Sequence, residues 1–340
     1  MAVRSVGYVE LYTGRKQATV DYFVSEMGFA HVADSVGTES SSVLLRQGSV
    51  QLIVTTGPAT RDFLEAHGEG IADIALTCDD VEDTVRAAAA AGAPVTDLHR
   101  GHPSVSGFGD VVHTLLPATH DAVIARPGPY DWVEAPGPAD TRTSRIRLLD
   151  HVAVCLEGGS LEKYVEFYRE AFGFSRYSSE YVDVGAHAMD SVVVRSTSED
   201  VTFTLVAPDL SKGRGQLDAF LERNGAPGVQ HLAFLVEDII SAVREFRGSG
   251  MEFLTVPDTY YDALSERFAD LSAEIGQLRS TQVLADRDEW GHLLQLFSRS
   301  PYERNTLFYE LIQRRGSLGF GSANIRALYD AVERDRTTTE

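Results

Sequence analysis

Two stretches of the chain carry the same pattern of apolar and polar positions. IADIALTCDDVEDTVRAAAAAGAPV starts at Ile71 and VQHLAFLVEDIISAVREFRGSGMEF at Val229, an offset of 158 that holds without a gap through Gly92 and Gly250. Each is an apolar run of strand length, an acidic turn, a segment at helical spacing and a glycine. A second pair, GYVELYTGRKQATVDYFVSEMGF (7–29) and DHVAVCLEGGSLEKYVEFYREAFGF (150–174), predicts a strand, a loop, an amphipathic helix and a closing Gly-Phe. In the later copy Ser160 stands at an N-cap. Leu161, Tyr164, Val165, Tyr168, Ala171 and Phe172 follow at helical spacing, and Gly173 sits where a left-handed C-cap belongs. Short strands and turns fit GFGDVVHTLLPA (107–118) and DEWGHLLQLFSRS (288–300). Between the repeats, RPGPYDWVEAPGPADTRTSR (126–145) holds four of the chain's 12 prolines and reads as an interdomain linker. ANIRALYDAVERDR predicts a last helix from about Ala323, with TTTE as a frayed tail.

Length adds a domain count: 340 residues suggest two. Charge narrows the partners. Thirty Lys and Arg against 50 Asp and Glu leave a formal charge of −20, which argues against nucleic acid and anionic lipid. No stretch is apolar enough to span a bilayer, and MAVRSVGYVELYTGR shows no cleavage pattern, so a cytoplasmic protein with a small-molecule partner is expected. Cys78 and Cys155 are too few for a disulfide framework or a cysteine-rich zinc site and read as inert core residues. The oligomeric state is left open, a homodimer included.

The chemistry concentrates in the second half. LLDHVAVCL, GVQHLAFLV and TLFYELIQRR place His151, His231 and Glu310 inside apolar strands. By alternation His151 shares a face with Ala153 and Cys155, His231 with Ala233, and Glu310 with Phe308 and Ile312. A buried, unpartnered carboxylate is costly. Two histidines and a carboxylate on inward faces would form a facial triad, which leaves coordination positions open and suits non-haem Fe(II) and oxygen. The first half has Tyr8 and Asp73 at the places of His151 and His231. Each histidine also has a bland reading as a satisfied core residue, and the residues alone leave both open. His113 and His292 follow hairpin-like turns and read as structural. His99 and His102 fall in a surface loop. DRDEWG at Asp286 lacks the twelfth-position acid of a calcium loop and reads as a hairpin turn. The run AAAAAG at 87–92 reads as a small-residue helix face.

TQVLADRDEWGHLLQLFSRSPYERNTLFYELIQRRGSLGFGSANIRALYDAVE (281–333) resembles the C-terminal signature of the 4-hydroxyphenylpyruvate dioxygenase family, within the vicinal oxygen chelate superfamily. The resemblance covers nearly the whole chain and is carried by GVQHLAF, LLQLF, LFYELIQR and GFGSANI. It implies an α+β fold of tandem βαβββ modules forming two open barrels of the glyoxalase type. It divides the chain into a metal-free domain over 1–130 and a catalytic domain over 146–340 with a C-terminal lid helix after Gly321. It implies Fe(II) held by His151, His231 and Glu310. The pocket it implies contains Ser191, Thr204, Val206, Gln230, Gln295, Phe297, Phe308, Asn324 and Ile325.

The family includes two activities on 4-hydroxyphenylpyruvate and O2, one giving homogentisate and one giving 4-hydroxymandelate and CO2. Where the homogentisate-forming members read like LLPINEP, with a pocket Pro and Asn, this chain has Thr204 and Val206. A pocket Gln of theirs falls at Asp218, and their lid Asn-Phe is Asn324-Ile325 here. These departures resemble the 4-hydroxymandelate-forming branch, which supplies hydroxyphenylglycine for peptide antibiotics. So does VGAHAMDS (184–191), which keeps Ser191, while His187 and Asp190 depart from that branch's Gln and Asn. The expectation is therefore 4-hydroxymandelate, with homogentisate as the alternative. A ring-cleaving catechol dioxygenase would not need the GFGSANI lid. A metal-free ligand-sequestering protein would have no reason to keep the three ligands together.

Overall fold

The computed structural model describes residues 3–99, 101–118, 131–135, 144–321, 324, 326 and 327. Its elements repeat one unit four times. The first unit is β1 (Val3–Tyr12), α1 (Lys16–Asp21), β2 (Ala30–Val36), β3 (Ser41–Gln47) and β4 (Val50–Thr56). A short helix, α2 (Arg61–His67), leads to the second: β5 (Gly70–Cys78), α3 (Val81–Ala90), β6 (Val95–His99), β7 (His102–Phe108) and β8 (Val111–Pro117). The two-residue strand β9 (Val133–Glu134) precedes the third: β10 (Ile146–Cys155), α4 (Leu161–Phe172), β11 (Ser175–Asp183), β12 (Ala188–Arg195) and β13 (Thr202–Pro208). Helix α5 (Gln216–Asn224) leads to the fourth, β14 (Gly228–Val236) and α6 (Ile239–Gly248). That unit carries two extra helices, α7 (Asp258–Arg267) and α8 (Ile275–Thr281), before β15 (Leu284–Arg287), β16 (His292–Phe297) and β17 (Phe308–Arg315).

The strands form two sheets with one order. The first runs β6-β7-β8-β5-β1-β4-β3-β2-β9 and the second β15-β16-β17-β14-β10-β13-β12-β11. In each, antiparallel pairing of the two leading strands, β1 with β5 and β10 with β14, joins two βαβββ units. The offset of 158 survives to the residue: β5 and α3 begin and end 158 positions before β14 and α6. The acidic turn proves to be a helix cap. Asp80 accepts from Asp83 N–H at 2.8 Å, and Asp238 accepts from Ser241 N–H at 3.2 Å, each satisfying a first-turn donor that the helix cannot. Gly92 and Gly250 close the two helices at φ +87° and +114°, where a side chain would be strained. The hairpins at 107–118 and 288–300 are not counterparts, because the first leads β7 into β8 and the second β15 into β16.

Helix α4 buries Leu161, Val165, Tyr168, Ala171 and Phe172, and Gly173 adopts the left-handed C-cap at φ +71°. Ser160 stands at the N-cap but makes no side-chain cap bond. Its own backbone is already near-helical, and its Oγ turns back to donate to Glu157 O at 2.7 Å. The proline-rich segment is also not wholly a connector: Val133–Glu134 adds an edge strand beside β2. The main core runs through both halves. Phe29 packs against Phe234 and Phe23 against Tyr309, with ring centroids 6.0 and 5.3 Å apart.

His113 belongs to this packing. Its Nδ1 donates to Ile74 O at 3.0 Å and its Nε2 accepts from the Tyr168 hydroxyl at 2.8 Å, so a first-half histidine is anchored to a second-half helix. Burial pushes its pKa down to about 4. The expected lid helix falls largely outside the described residues; of those described beyond Gly321, Asn324, Arg326 and Ala327 have helical backbone. Among the described residues no helix is long and apolar enough to cross a membrane.

Candidate metal centre

The three central strands of the second sheet, β10, β14 and β17, set the site by their register. His151 stands opposite Ala233, which stands opposite Glu310. One step along the same face, Ala153 stands opposite His231 and His231 opposite Phe308. Ala233 sits between His151 and Glu310, and its single methyl leaves their side chains room to meet. Among the described residues His151, His231 and Glu310 are the group of potential metal-binding side chains whose ligand atoms converge, all within 4.8 Å of one another. Glu310 Oε2 lies 3.4 Å from His151 Nε2 and 3.2 Å from His231 Nε2. All three residues are buried, Glu310 at 1% exposure.

The far side of each imidazole is held. A bulge in the β10–β14 ladder falls between Leu149 and His151, at Asp150. Asp150 Oδ1 accepts from His151 Nδ1–H at 2.9 Å, and Arg314 grips the same carboxylate with two bonds of 2.7 Å. Gln230 Oε1 accepts from His231 Nδ1–H at 3.2 Å. With both Nδ1 atoms committed as donors, Nε2 is the atom of each ring that faces Glu310. Burial works against a charge on His151, but its hydrogen bonds to Asp150 and Glu310 outweigh it and raise its pKa to about 9. Burial would lift Glu310, but His151 and His231 hold its pKa at about 2. Burial holds His231 below the ordinary histidine value. Beyond the two Nδ1 protons, the three side chains alone therefore keep one more, on His151 Nε2, while His231 Nε2 is buried with no hydrogen-bond partner among the described residues. Three converging acceptors and one orphaned lone pair fit a cation, which would displace that proton.

The remaining predicted site residues divide into groups. Thr204 stands opposite Ala153, Val206 opposite Cys155, and Ser191 opposite Val206, so all three lie on the face that carries the histidines. Thr204 Oγ1 is buried without a hydrogen-bond partner among the described residues. Val206 joins Cys155, Val182, Met189, Leu217 and Phe220 in an apolar cluster. Phe308 stacks on His231 with centroids 5.0 Å apart, and Phe297 meets the same ring edge-on at 6.1 Å. Gln295 and Asn324 are buried; Gln295 donates to Glu310 and accepts from Asn324. Ile325 lies outside the described residues. Asp218 caps helix α5, accepting from Gly215 N–H at 2.8 Å. Asp190 is exposed on the opposite face of β12 from Ser191, and His187 bonds to Gly213 O, so neither joins this face.

Sequence reasoning missed four participants: Asp150, Ala233, Arg314 and Phe320. Arg314 shares the inward face of β17 with Glu310, and an arginine there was a readable signal. Phe320 meets His151 edge-on at 5.2 Å and lies under the Arg314 guanidinium at 5.1 Å. It is brought there by Asp288, the turn acid of DRDEWG, whose Oδ2 accepts from Ser317 Oγ, Leu318 N–H and Gly319 N–H at 2.7–2.8 Å.

Comparison with known proteins identifies the family. Residues 148–296 match the Glyoxalase/Bleomycin resistance protein/Dioxygenase superfamily, so the class is a glyoxalase-type dioxygenase fold. The chain is 46% identical to a solved triple mutant of 4-hydroxymandelate synthase from Streptomyces coelicolor, with a TM-score of 0.90, over 99% of this chain and 100% of that one. It is 31% identical to 4-hydroxyphenylpyruvate dioxygenase of Neurospora crassa, over 81% of this chain and 71% of that protein. To the enzyme of the same name from Yarrowia lipolytica it is 28% identical, over 98% and 92%. The chain belongs to the 4-hydroxyphenylpyruvate dioxygenase family and is a non-haem, metal-dependent dioxygenase.

Proposed function

We propose that the chain binds Fe(II) through His151, His231 and Glu310 and converts 4-hydroxyphenylpyruvate and O2 to 4-hydroxymandelate and CO2, as a step toward hydroxyphenylglycine for antibiotic synthesis. The observation that carries the product is the 46% full-length identity to a 4-hydroxymandelate synthase, against 28–31% to relatives named for the dioxygenase. Fe(II), when bound, supplies chelation of the 2-oxo acid and activation of O2 for oxidative decarboxylation. One oxygen atom ends in the new carboxylate and the other in the benzylic hydroxyl.

The chain's own residues supply position and dryness. Asp150 and Gln230 hold the two imidazoles in the tautomer that presents Nε2. Phe297, Phe308 and Phe320 pack around the histidine rings and exclude water. Val206 and its apolar cluster form a seat for the aromatic ring. Ser191 and the orphaned Thr204 hydroxyl offer the polar groups that a phenol can bond. A seat that turns the benzylic carbon rather than the ring toward the metal selects the mandelate, and a displacement of about an ångström decides such a contest. Ile325, beyond the described residues, takes part in this reading through the family pattern. The two buried free thiols, Cys78 and Cys155, fit a reducing cytoplasm.

The second reading, homogentisate, is favoured by the relatives from Neurospora and Yarrowia, which are named for the dioxygenase. The two products are isomers, so mass alone does not separate them. Chromatography of the reaction of 4-hydroxyphenylpyruvate with O2 and the Fe(II)-loaded protein does. 4-Hydroxymandelate as the main product supports the proposal; homogentisate as the main product replaces it. Phenylpyruvate is expected to be the poorer substrate, because a site built to bond a hydroxyl leaves its own polar groups unpaired without one.

A further inference from the structure

We propose that Asn324 is a positioning residue for Glu310, acting through Gln295, so that the Asn324–Gln295 pair sets how tightly the site holds its metal. This rests on the reading of His151, His231 and Glu310 as the ligand set. Glu310 divides its carboxylate: Oε2 faces both histidines, while Oε1 accepts from Gln295 Nε2–H at 2.8 Å. Gln295 Oε1 accepts in turn from Asn324 Nδ2–H at 2.7 Å, and Asn324 Oδ1 lies 3.2 Å from the Tyr260 hydroxyl. Tyr260 is itself fixed to strand β15, accepting from Ala285 N–H at 2.9 Å.

The direction of this chain is forced from one end. A carboxylate can only accept, so Gln295 must turn its amide nitrogen to Glu310 and its oxygen to Asn324, and Asn324 must then donate. Gln295 and Asn324 are 3% and 0% exposed, so neither amide has water as a substitute partner. The backbone adds a second contact. Gly321 has φ +74°, and a Cβ there would lie 2.6 Å from Gln295 Oε1, so only glycine lets the backbone pass this close to Gln295. Removing Asn324 orphans Gln295 Oε1, frees the amide to turn over, and releases Oε1 of Glu310. An outer residue that orients a ligand in this way typically changes metal affinity ten- to a hundredfold.

The test titrates the full-length, metal-free protein with Co(II), reading affinity and the visible absorption band. Asn324→Ala is expected to weaken binding about tenfold and shift the band, and Gln295→Ala to weaken it at least as much. The double variant should be no weaker than Gln295→Ala alone, because Asn324 acts only through Gln295. Asn324→Leu keeps the volume and removes the bonds, so it should weaken binding as alanine does, whereas a packing role leaves it at the wild-type value. Wild-type affinity and an unmoved band in Asn324→Ala, additive losses in the double variant, or wild-type binding in Asn324→Leu would each overturn the relay. Failure of the wild-type protein to bind Co(II) would instead overturn the ligand set beneath it.

Discussion

The two sheets share one order and three matching register shifts, yet among the described residues only the second brings three potential metal ligands together. In the first sheet Tyr8 stands opposite Ala75, and the β5–β8 register puts Thr114 beside that alanine, the rung that holds His151, Ala233 and Glu310 in the second. Asp73 takes the place of His231. Its carboxylate accepts from the Tyr8 hydroxyl at 2.9 Å and from Thr114 N–H and Oγ1–H at 3.0 and 2.6 Å. Donors answer the acceptor, and Trp132 packs on the cluster containing Tyr8, Ala33, Leu44, Ile53 and Ala75. In the second sheet the same backbone positions present three acceptors to one another. A metal centre here is a matter of donor and acceptor balance on a repeated frame, not of a different fold.

The largest expected effect breaks the comparison at its acceptors. His151→Ala, His231→Ala and Glu310→Ala should each reduce bound metal and turnover by more than about a hundredfold while the fold persists. Metal analysis and a turnover assay on each variant check this, and near-normal activity in one removes that residue from the site. Next come the two alanines. Ala233→Leu should fill the space between His151 and Glu310 and abolish metal binding. Ala75→Leu should keep the metal and cost about 1–3 kcal/mol of stability from overpacking, read by denaturant unfolding.

The third prediction concerns a first-half histidine that is not a ligand. His113 is neutral in the fold, with a pKa near 4 against 6.5 when exposed. Its contribution is whole above pH 6.5 and is lost as pH falls through 4, because the unfolded chain takes up the proton first. The loss amounts to roughly 3 kcal/mol. Unfolding curves between pH 7 and 4 should show it, and His113→Gln should flatten the slope. Fourth, Asp150→Asn should weaken metal binding ten- to a hundredfold by loosening the His151 tautomer, measured by calorimetric titration. The smallest effect is at Asp73→Asn, which should leave the metal untouched and cost about 1 kcal/mol where an amide meets the Tyr8 and Thr114 donors.

Much of this was legible in the chain. Strands and helices followed from periodicity, and the repeat at 158 was exact enough to carry cap, helix and closing glycine together. His151, His231 and Glu310 stood out because charged or polar groups inside apolar strands need partners. What stayed hidden depends on which strands become neighbours. Ala233 is an ordinary small residue until register places it between two ligands. Asp150 gains its role from a bulge that local pattern does not announce. The family pattern places Gln295 and Asn324 in the substrate pocket; that Gln295 also bonds Glu310, and Asn324 bonds Gln295, only the register shows. Ser160 looked like a capping residue, but whether a serine caps depends on its own backbone angles.

One half of the chain is expected to hold the metal and its sibling not to. Counting Fe(II) bound to the full chain at saturation, in the wild type, in Glu310→Ala and in Asp73→Asn, tests it most directly. One ion per chain is expected in the wild type and in Asp73→Asn, and none in Glu310→Ala. Two ions per chain, or an ion that survives Glu310→Ala and is lost with Asp73→Asn, would contradict this.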